Sequence, residues 1–187
     1  MKLNCNIEFV VSTVLATLFS TVFLFVEPCF SMPQIGDSAT WFVVTTRDGK
    51  TTDQKQMTST FVAYESARDL YVLDEITRTS NGSSFRSTYS VTGTSLSELE
   101  SSKVSLMAQC ENYGWILQTI TLASGQLIDT CKYSNEYSDN YTVQTNESLL
   151  PWAEFVRTES TQMIRGTIIK TIKEMATFTL NSLTEIH

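Results

Sequence analysis

Two dipeptides, Asp48-Gly49 and Asn81-Gly82, each stand between two runs rich in aromatic and β-branched residues. Asp-Gly and Asn-Gly favour the two-residue turns of β-hairpins, because both residues tolerate positive φ. Ser and Thr supply 14 of the 26 residues in Thr77–Ser102, which also favours strands and turns over helices. The chain is therefore expected to be mostly β. The strands predicted for this half are Ala39–Thr46, Gln56–Tyr64, Leu70–Thr79 and Ser84–Thr92.

The fourth predicted strand alternates cleanly between two kinds of side chain. Phe85, Tyr89 and Val91 share one face with a serine, whereas Arg86 and Thr88 lie on the other. This pattern is typical of a strand with one buried and one wet face. Substitution of Phe85 or Tyr89 should therefore destabilise the fold far more than substitution of Arg86 or Thr88.

The alternation breaks after Thr92, where apolar residues recur near helical spacing. We predict one amphipathic helix over Ser101–Asn112, preceded by a separate turn from Ser95 if the helix does not extend that far back. Gly114 supplies the helix stop. The sheet should thus carry a single helix.

Strand-like segments resume after the helix, separated by a turn at Ala123–Gly125 and by predicted loops over Ser134–Asp139 and Asn146–Trp152. Residues 164–180 fit either a helical stripe or a strand face, and their β-branched threonines favour one long strand. The other predicted strands here are Trp115–Leu122, Gln126–Tyr133, Asn140–Thr145 and Ala153–Glu159.

The N-terminal region predicts export. Phe9–Val26 is apolar or small throughout, and the small residues Cys29 and Ser31 suit cleavage before Met32. We therefore predict a signal peptide over 1–31 and a single antiparallel domain over 32–187. The alternative is a retained membrane anchor, since 18 residues can just span a bilayer. The expected location is the periplasm or the cell surface.

After cleavage two cysteines remain, Cys110 and Cys131, and two cysteines in an oxidising compartment usually pair. A hairpin turn centred on Ser124 places Leu117 opposite Cys131, so Cys110 lies at the helix end. A disulfide would then tie the helix terminus to the second strand of the hairpin. No C-x-x-C spacing supports a redox site, and two cysteines are too few for structural zinc.

Catalytic and cofactor patterns are missing. His187 is the sole histidine and the last residue, so it is a poor general base. No nucleotide-binding or nucleophile motif occurs, and we expect no catalytic residues, no metal and no cofactor. The net charge of −7 argues against nucleic acid as a partner.

Three carboxylates are candidate site residues. Asp74 and Glu75 are adjacent on a strand, so they point to opposite faces and do not form an acid/base pair. Asp129 shares a face with Cys131, which predicts a buried, hydrogen-bonded carboxylate with a structural role. A carboxylate-only enzyme such as a glycosidase is the least favoured class.

The hairpin "LQTITLASGQLIDTCKY" resembles a recurrent element of exported Gram-negative proteins of unknown function, often written "TVTVPAGTFDT". "LPWAEFVRTE" is similar to the closing segment of those proteins, and the motif match covers Cys110–Glu159. "LASGQL" replaces "VPAGTF", which affects the turn rather than the hairpin. Such proteins are similar in architecture to periplasmic lipoprotein carriers. The resemblance implies a curved antiparallel sheet or half-barrel of about eight strands with one helix packed on it, and no known activity.

Two functions follow as hypotheses. The first is a non-enzymatic envelope protein that holds a lipid or another apolar ligand in its sheet, and the alternative is a cell-surface interaction or structural module without a ligand. Aromatic residues that fill the core would have the same pattern. The residues proposed to line a ligand are Trp41, Phe61, Tyr71, Phe85, Tyr89, Trp115 and Phe155.

Overall fold

Nine antiparallel strands and one helix form the regular structure of residues 32–148 and 155–181, the part of the chain that the computed structural model describes. The prediction of a mostly β protein with one helix is confirmed, with nine strands instead of about eight. The elements are β1 (Ser38–Arg47), β2 (Lys50–Glu65), β3 (Leu70–Thr79), β4 (Ser84–Thr92), α1 (Gly93–Gln109), β5 (Ile116–Thr121), β6 (Leu127–Ser138), β7 (Tyr141–Ser148), β8 (Arg157–Ile164) and β9 (Thr167–Thr179).

The strands form one unclosed sheet in the order β4-β3-β2-β1-β9-β8-β7-β6-β5. β4 and β5 follow each other along the chain but lie at opposite edges, so α1 crosses one face of the sheet between them. The tip of the β5–β6 hairpin reaches β9, because the Ser124 N–H donates to the Ala176 carbonyl at 3.0 Å. Two strands lie between β6 and β9, a gap of roughly 14 Å in a flat sheet. The sheet therefore curls at this end.

The turn chemistry explains most hairpins. Asp48 and Gly49 have φ of 48° and 78°, as the first predicted hairpin requires. A second positive-φ pair, Arg165-Gly166, divides the C-terminal region into β8 and β9. The choice of strand over helix is thus confirmed for β9, although the strand begins at Thr167 and not at residue 164.

Several predicted boundaries are wrong. β2 begins at Lys50 instead of Gln56, β7 continues to Ser148 where a loop from Asn146 was expected, and β8 spans Arg157–Ile164 instead of Ala153–Glu159. The bounds of β6 and α1 also differ. The segment Ser134–Asp139, expected as a loop, continues β6 to Ser138, because its backbone pairs with β7. The helix starts at Gly93, eight residues before the predicted start and without a separate turn. Thr92 caps it by accepting a hydrogen bond from the Ser95 N–H at 3.1 Å.

Directly paired residues in an antiparallel sheet share a face, so the registers define two faces. The helix face carries Trp41, Phe61 and Cys131, and α1 packs on it through Leu96. We call the opposite side the cleft face. The buried cluster consists of Ala39, Trp41, Phe61, Tyr71, Leu73, Leu96, Leu122, Val156 and Met175.

The predicted burial of β4 is wrong, although its facing is right. Tyr89 pairs with Leu73 and so lies on the helix face, yet its exposed fraction is 46% and that of Phe85 is 64%. The reason is tertiary: β4 is an edge strand, and α1 leaves it at Thr92 to cross toward β6 and β7. Phe85 and Tyr89 are therefore not core residues.

Candidate functional site

A polar cleft lies on the cleft face across β5 to β9, with a volume of about 300 Å³. One register row supplies its floor: Lys132 pairs with Asn146, Asn146 with Arg157, and Arg157 with Glu174. These side chains share a face by strand alternation and lie side by side because the four strands are adjacent. The lining consists of Gln118, Ile120, Thr121, Lys132, Gln144, Asn146, Arg157, Glu159 and Glu174.

Most charged side chains of this polar cleft form ion pairs. Arg157 contacts Glu174 at 3.2 Å and Glu159 at 3.4 Å, and Lys170 contacts the other oxygen of Glu159 at 2.6 Å. The hydrogen bond from Lys170, together with the charges of both cations, holds the pKa of the Glu159 carboxyl below its usual value. Both carboxylates of the cleft, Glu159 and Glu174, are thus paired with cations.

Among the charged side chains of the polar cleft, Lys132 is the exception to this pairing. It is half-buried in the cleft floor and forms no ion pair or hydrogen bond with the described residues. The three cations Lys132, Arg157 and Lys170 face two carboxylates, so this part of the protein carries one positive charge in excess. A net positive site stands out in a chain whose overall charge is −7.

The side-chain amides around Lys132 complete the polar lining. Gln118 and Gln144 donate and accept no side-chain hydrogen bond among the described residues, so both amides face the cleft with donors and acceptors available. Asn146 is committed instead, because its amide donates to Thr130 Oγ1 at 3.2 Å in the interior. The cleft therefore offers one ammonium and two amides to a polar molecule.

The seven aromatic residues predicted to line a ligand do not surround one space. Trp41, Phe61 and Tyr71 belong to the buried cluster, whereas Phe85 and Tyr89 lie on the exposed end of β4. None of the seven lines the polar cleft. The role of these aromatics as ligand contacts stays a prediction.

The remaining two predicted ligand contacts have specific partners. Trp115 contacts Tyr113 and Tyr133 in tilted arrangements, with ring centroids 4.8 Å apart in each case. The Phe155 carbonyl accepts a hydrogen bond from Trp41 Nε1 at 3.2 Å, and the Lys173 ammonium lies over both rings. These contacts show that Trp115 and Phe155 pack against other residues of the protein.

The predicted disulfide is confirmed. Cys110 and Cys131 are bonded, with Cα atoms 5.8 Å apart, and both residues are buried. Leu117 lies opposite Cys131, which is the register that a turn centred on Ser124 predicts. The bond therefore ties the end of α1 to β6.

Asp129 is hydrogen-bonded but not buried, which corrects part of the prediction. Its carboxylate accepts a hydrogen bond from Thr119 Oγ1 at 2.6 Å, across the hairpin. Both residues are exposed, because the helix covers the hairpin only as far as Cys131.

Asp74 and Glu75 do point to opposite faces, and Asp74 is paired with Arg86 at 2.6 Å.

A second, more open cleft of about 460 Å³ lies on the same face at the other half of the sheet. Its floor includes Phe42, Gln56 and Arg78, which continue the register row from Glu174. Within residues 32–148 and 155–181 no group of three metal-ligating side chains occurs. The helix in that part of the chain, α1, lacks the length and the apolar character of a membrane span. The predicted signal segment, 1–31, falls outside those residues.

The fold defines a class: an open antiparallel sheet that carries a single disulfide-linked helix. Comparison with known proteins finds no family model that matches the chain, no curated protein of similar sequence and no matching solved structure. The candidate site consequently depends on the geometry of this chain alone.

Sequence reasoning missed the residues of the polar cleft. Lys132, Arg157 and Glu174 are distant along the chain and belong to no motif. The one signal available was alternation, which places Lys132 on the face opposite Cys131. Only the strand order shows that three such residues meet.

Proposed function

We propose that the protein is an exported, non-enzymatic binding protein whose polar cleft holds a small molecule with an anionic group, most simply a carboxylate. The observation that carries this proposal is the ammonium of Lys132, which has no partner among the described residues, in a cleft whose other charged side chains are paired. A carboxylate beside Lys132 would balance the excess positive charge, and charge-assisted hydrogen bonds are among the stronger polar contacts.

The size and the lining of the polar cleft support a small polar ligand over a lipid. A volume of about 300 Å³ corresponds to roughly ten water molecules. Eight of its nine lining residues are polar or charged, and the exception is Ile120. An alkyl chain in this space would separate ion pairs from water without replacing their hydrogen bonds. The free amides of Gln118 and Gln144 suit a ligand with hydroxyl or amide groups.

The ionisation of the cleft supports a non-enzymatic role. General acid/base work at neutral pH needs a group whose pKa lies near 7. Glu159 has its pKa moved in the opposite direction, below its ordinary value, by Lys170. The disulfide in the described part of the chain is compatible with an oxidising compartment and so with export.

Thermal shift measurements with small dicarboxylates such as succinate test the proposal. A ligand at 100 times its dissociation constant stabilises a protein by about 2.7 kcal/mol, which corresponds to a rise in melting temperature of roughly 5–11 °C. Lys132→Met should abolish the shift, since it removes the charge and keeps the stem. Lys50→Met, at an exposed lysine outside the cleft, should leave the shift unchanged.

Native mass spectrometry of the purified protein gives an independent result. A co-purified small acid that Lys132→Met loses would support the proposal. A bound lipid that Lys132→Met retains would contradict it and favour the apolar ligand expected from the sequence. Absence of any dicarboxylate shift together with such a lipid would refute the polar cleft as the binding site.

A further inference from the structure

The hydrogen bonds between β3 and β4 determine which backbone groups of β4 point outward at the free edge. Thr79 N–H donates to the Ser83 carbonyl at 3.0 Å, and Gly93 N–H donates to the Asp69 carbonyl at 2.9 Å. The β3–β4 register runs without a bulge between these two bonds. Bonded and non-bonded residue pairs alternate along such a ladder. The odd-numbered residues of β4 therefore bond to β3, and the N–H and C=O groups of residues 84, 86, 88 and 90 point outward.

This edge lacks the usual protection against pairing. Eight of the nine residues of β4 are exposed, and the strand contains no proline, lysine or bulge. Its single charge belongs to Arg86, whose guanidinium forms two bonds to the Asp74 carboxylate on β3, at 2.7 Å and 2.6 Å. The charge is thus neutralised and held over the sheet. No described residue pairs with the edge.

We propose that two copies of the protein associate through β4, antiparallel, about a two-fold axis at Thr88. This register matches those outward backbone groups, because it pairs outward-pointing residues only: Thr88 meets Thr88 of the partner subunit, and Arg86 meets Ser90 of the partner subunit. On the helix face, Phe85 meets Val91 of the partner subunit. The two sheets then join into one continuous sheet of 18 strands.

A second copy fits this edge better than an unrelated strand because the sequence is self-complementary in this register. The one charge of each strand faces a serine, so like charges do not oppose each other. The exposed ring of Phe85 gains an apolar neighbour. Each subunit contributes one nine-residue strand to the contact, which is fewer than the roughly 20–30 residues that each partner contributes to a stable complex. The dimer is therefore weak and depends on protein concentration.

Sedimentation of the purified protein over a concentration series tests the dimer. Thr88→Pro removes an outward N–H that β3 does not use, and it should weaken association at least tenfold. Thr88→Lys places two ammonium groups opposite each other and should weaken association at least fivefold. Thr88→Ala keeps the backbone, and Ile116→Lys adds the same charge at the other edge, so both should associate as wild type. Unchanged melting temperatures would show that each variant folds.

Cross-linking tests the register itself. Thr88→Cys faces itself across the axis and should form an intermolecular disulfide, identified by mass spectrometry as a peptide joined to its own copy. Ser84→Cys lies opposite Thr92 of the partner subunit and should cross-link to itself far less. The proposal is overturned if the protein stays monomeric at millimolar concentration, if Thr88→Pro and Thr88→Lys leave the dimer intact, or if Ser84→Cys cross-links as well as Thr88→Cys.

Discussion

Removal of the Cys110–Cys131 disulfide should destabilise the protein by about 3 kcal/mol. The bond closes a loop with a sequence separation of 21, and the chain-entropy model assigns that value to a loop of this length. The loop begins at Cys110, the C-cap of α1, and contains all of β5 and the start of β6. Without the bond the unfolded chain gains freedom, and α1 loses its covalent link to the sheet.

The packing around the sulfurs supports a clean measurement. Both cysteines are at most 1% exposed. A buried free thiol behaves as a small hydrophobic group, so alanine at either position leaves no strongly polar group buried. Cys110→Ala, Cys131→Ala and the double variant remove one shared bond. Their losses should agree within about 0.5 kcal/mol instead of adding.

Urea unfolding of the wild type and the three variants measures these free energies, and melting temperatures should fall by about 6–12 °C. Reduction of the wild type should reproduce the double variant, which serves as the control for the alanine side chains. Additive losses in the two single variants would refute the staple and show that the cysteines act separately. So would a pair of titratable thiols at these positions in oxidised protein.

Three further predictions concern single side chains. Phe61→Ala should cost about 3–5 kcal/mol because the ring is 1% exposed in the core, whereas Phe85→Ala at the exposed edge should cost about 0.5 kcal/mol or less; equal losses in urea unfolding would contradict this. Arg86 lowers the pKa of Asp74 by hydrogen bonding and charge. The free energy of unfolding of the wild type should therefore exceed that of Asp74→Asn by its full amount above the unfolded pKa of about 3.9. This difference should shrink as the pH falls through the folded pKa. A difference that is constant from pH 7 to pH 2 would argue against the pair. Burial, followed by the hydrogen bond to Glu147, raises the pKa of Tyr133 to about 12, so its contribution is present below the unfolded pKa of about 10 and lost as pH rises toward 12. Ultraviolet titration should show a tyrosine that ionises near pH 12 and that Tyr133→Phe removes.

Local chemistry made the strands and hairpins predictable. Asp48-Gly49 supplies the positive φ of a tight turn, and this requirement holds whatever surrounds the hairpin. The pairing of Leu117 with Cys131 followed from the turn alone, because the register of a hairpin is fixed by its turn. The disulfide followed from the cysteine count and that register.

Burial was less predictable, because it depends on what covers a strand. Alternation correctly placed Phe85 and Tyr89 on the helix face. It could not show that β4 is an edge, since strand order is set by pairing between distant segments. The start of the helix was missed for a related reason. Its apolar stripe is weak, with Leu96 its buried leucine, and the cap at Thr92 determines its start.

The amino-acid sequence by itself determined the strand class, the hairpin turns, the facing of alternating side chains and the disulfide, all of which depend on contacts within short segments. Tertiary structure alone decided which residues form the polar cleft. Lys132, Asn146, Arg157 and Glu174 become neighbours only because β6, β7, β8 and β9 pair in that order. The same order leaves β4 at an edge, with its outward backbone groups available to a second copy.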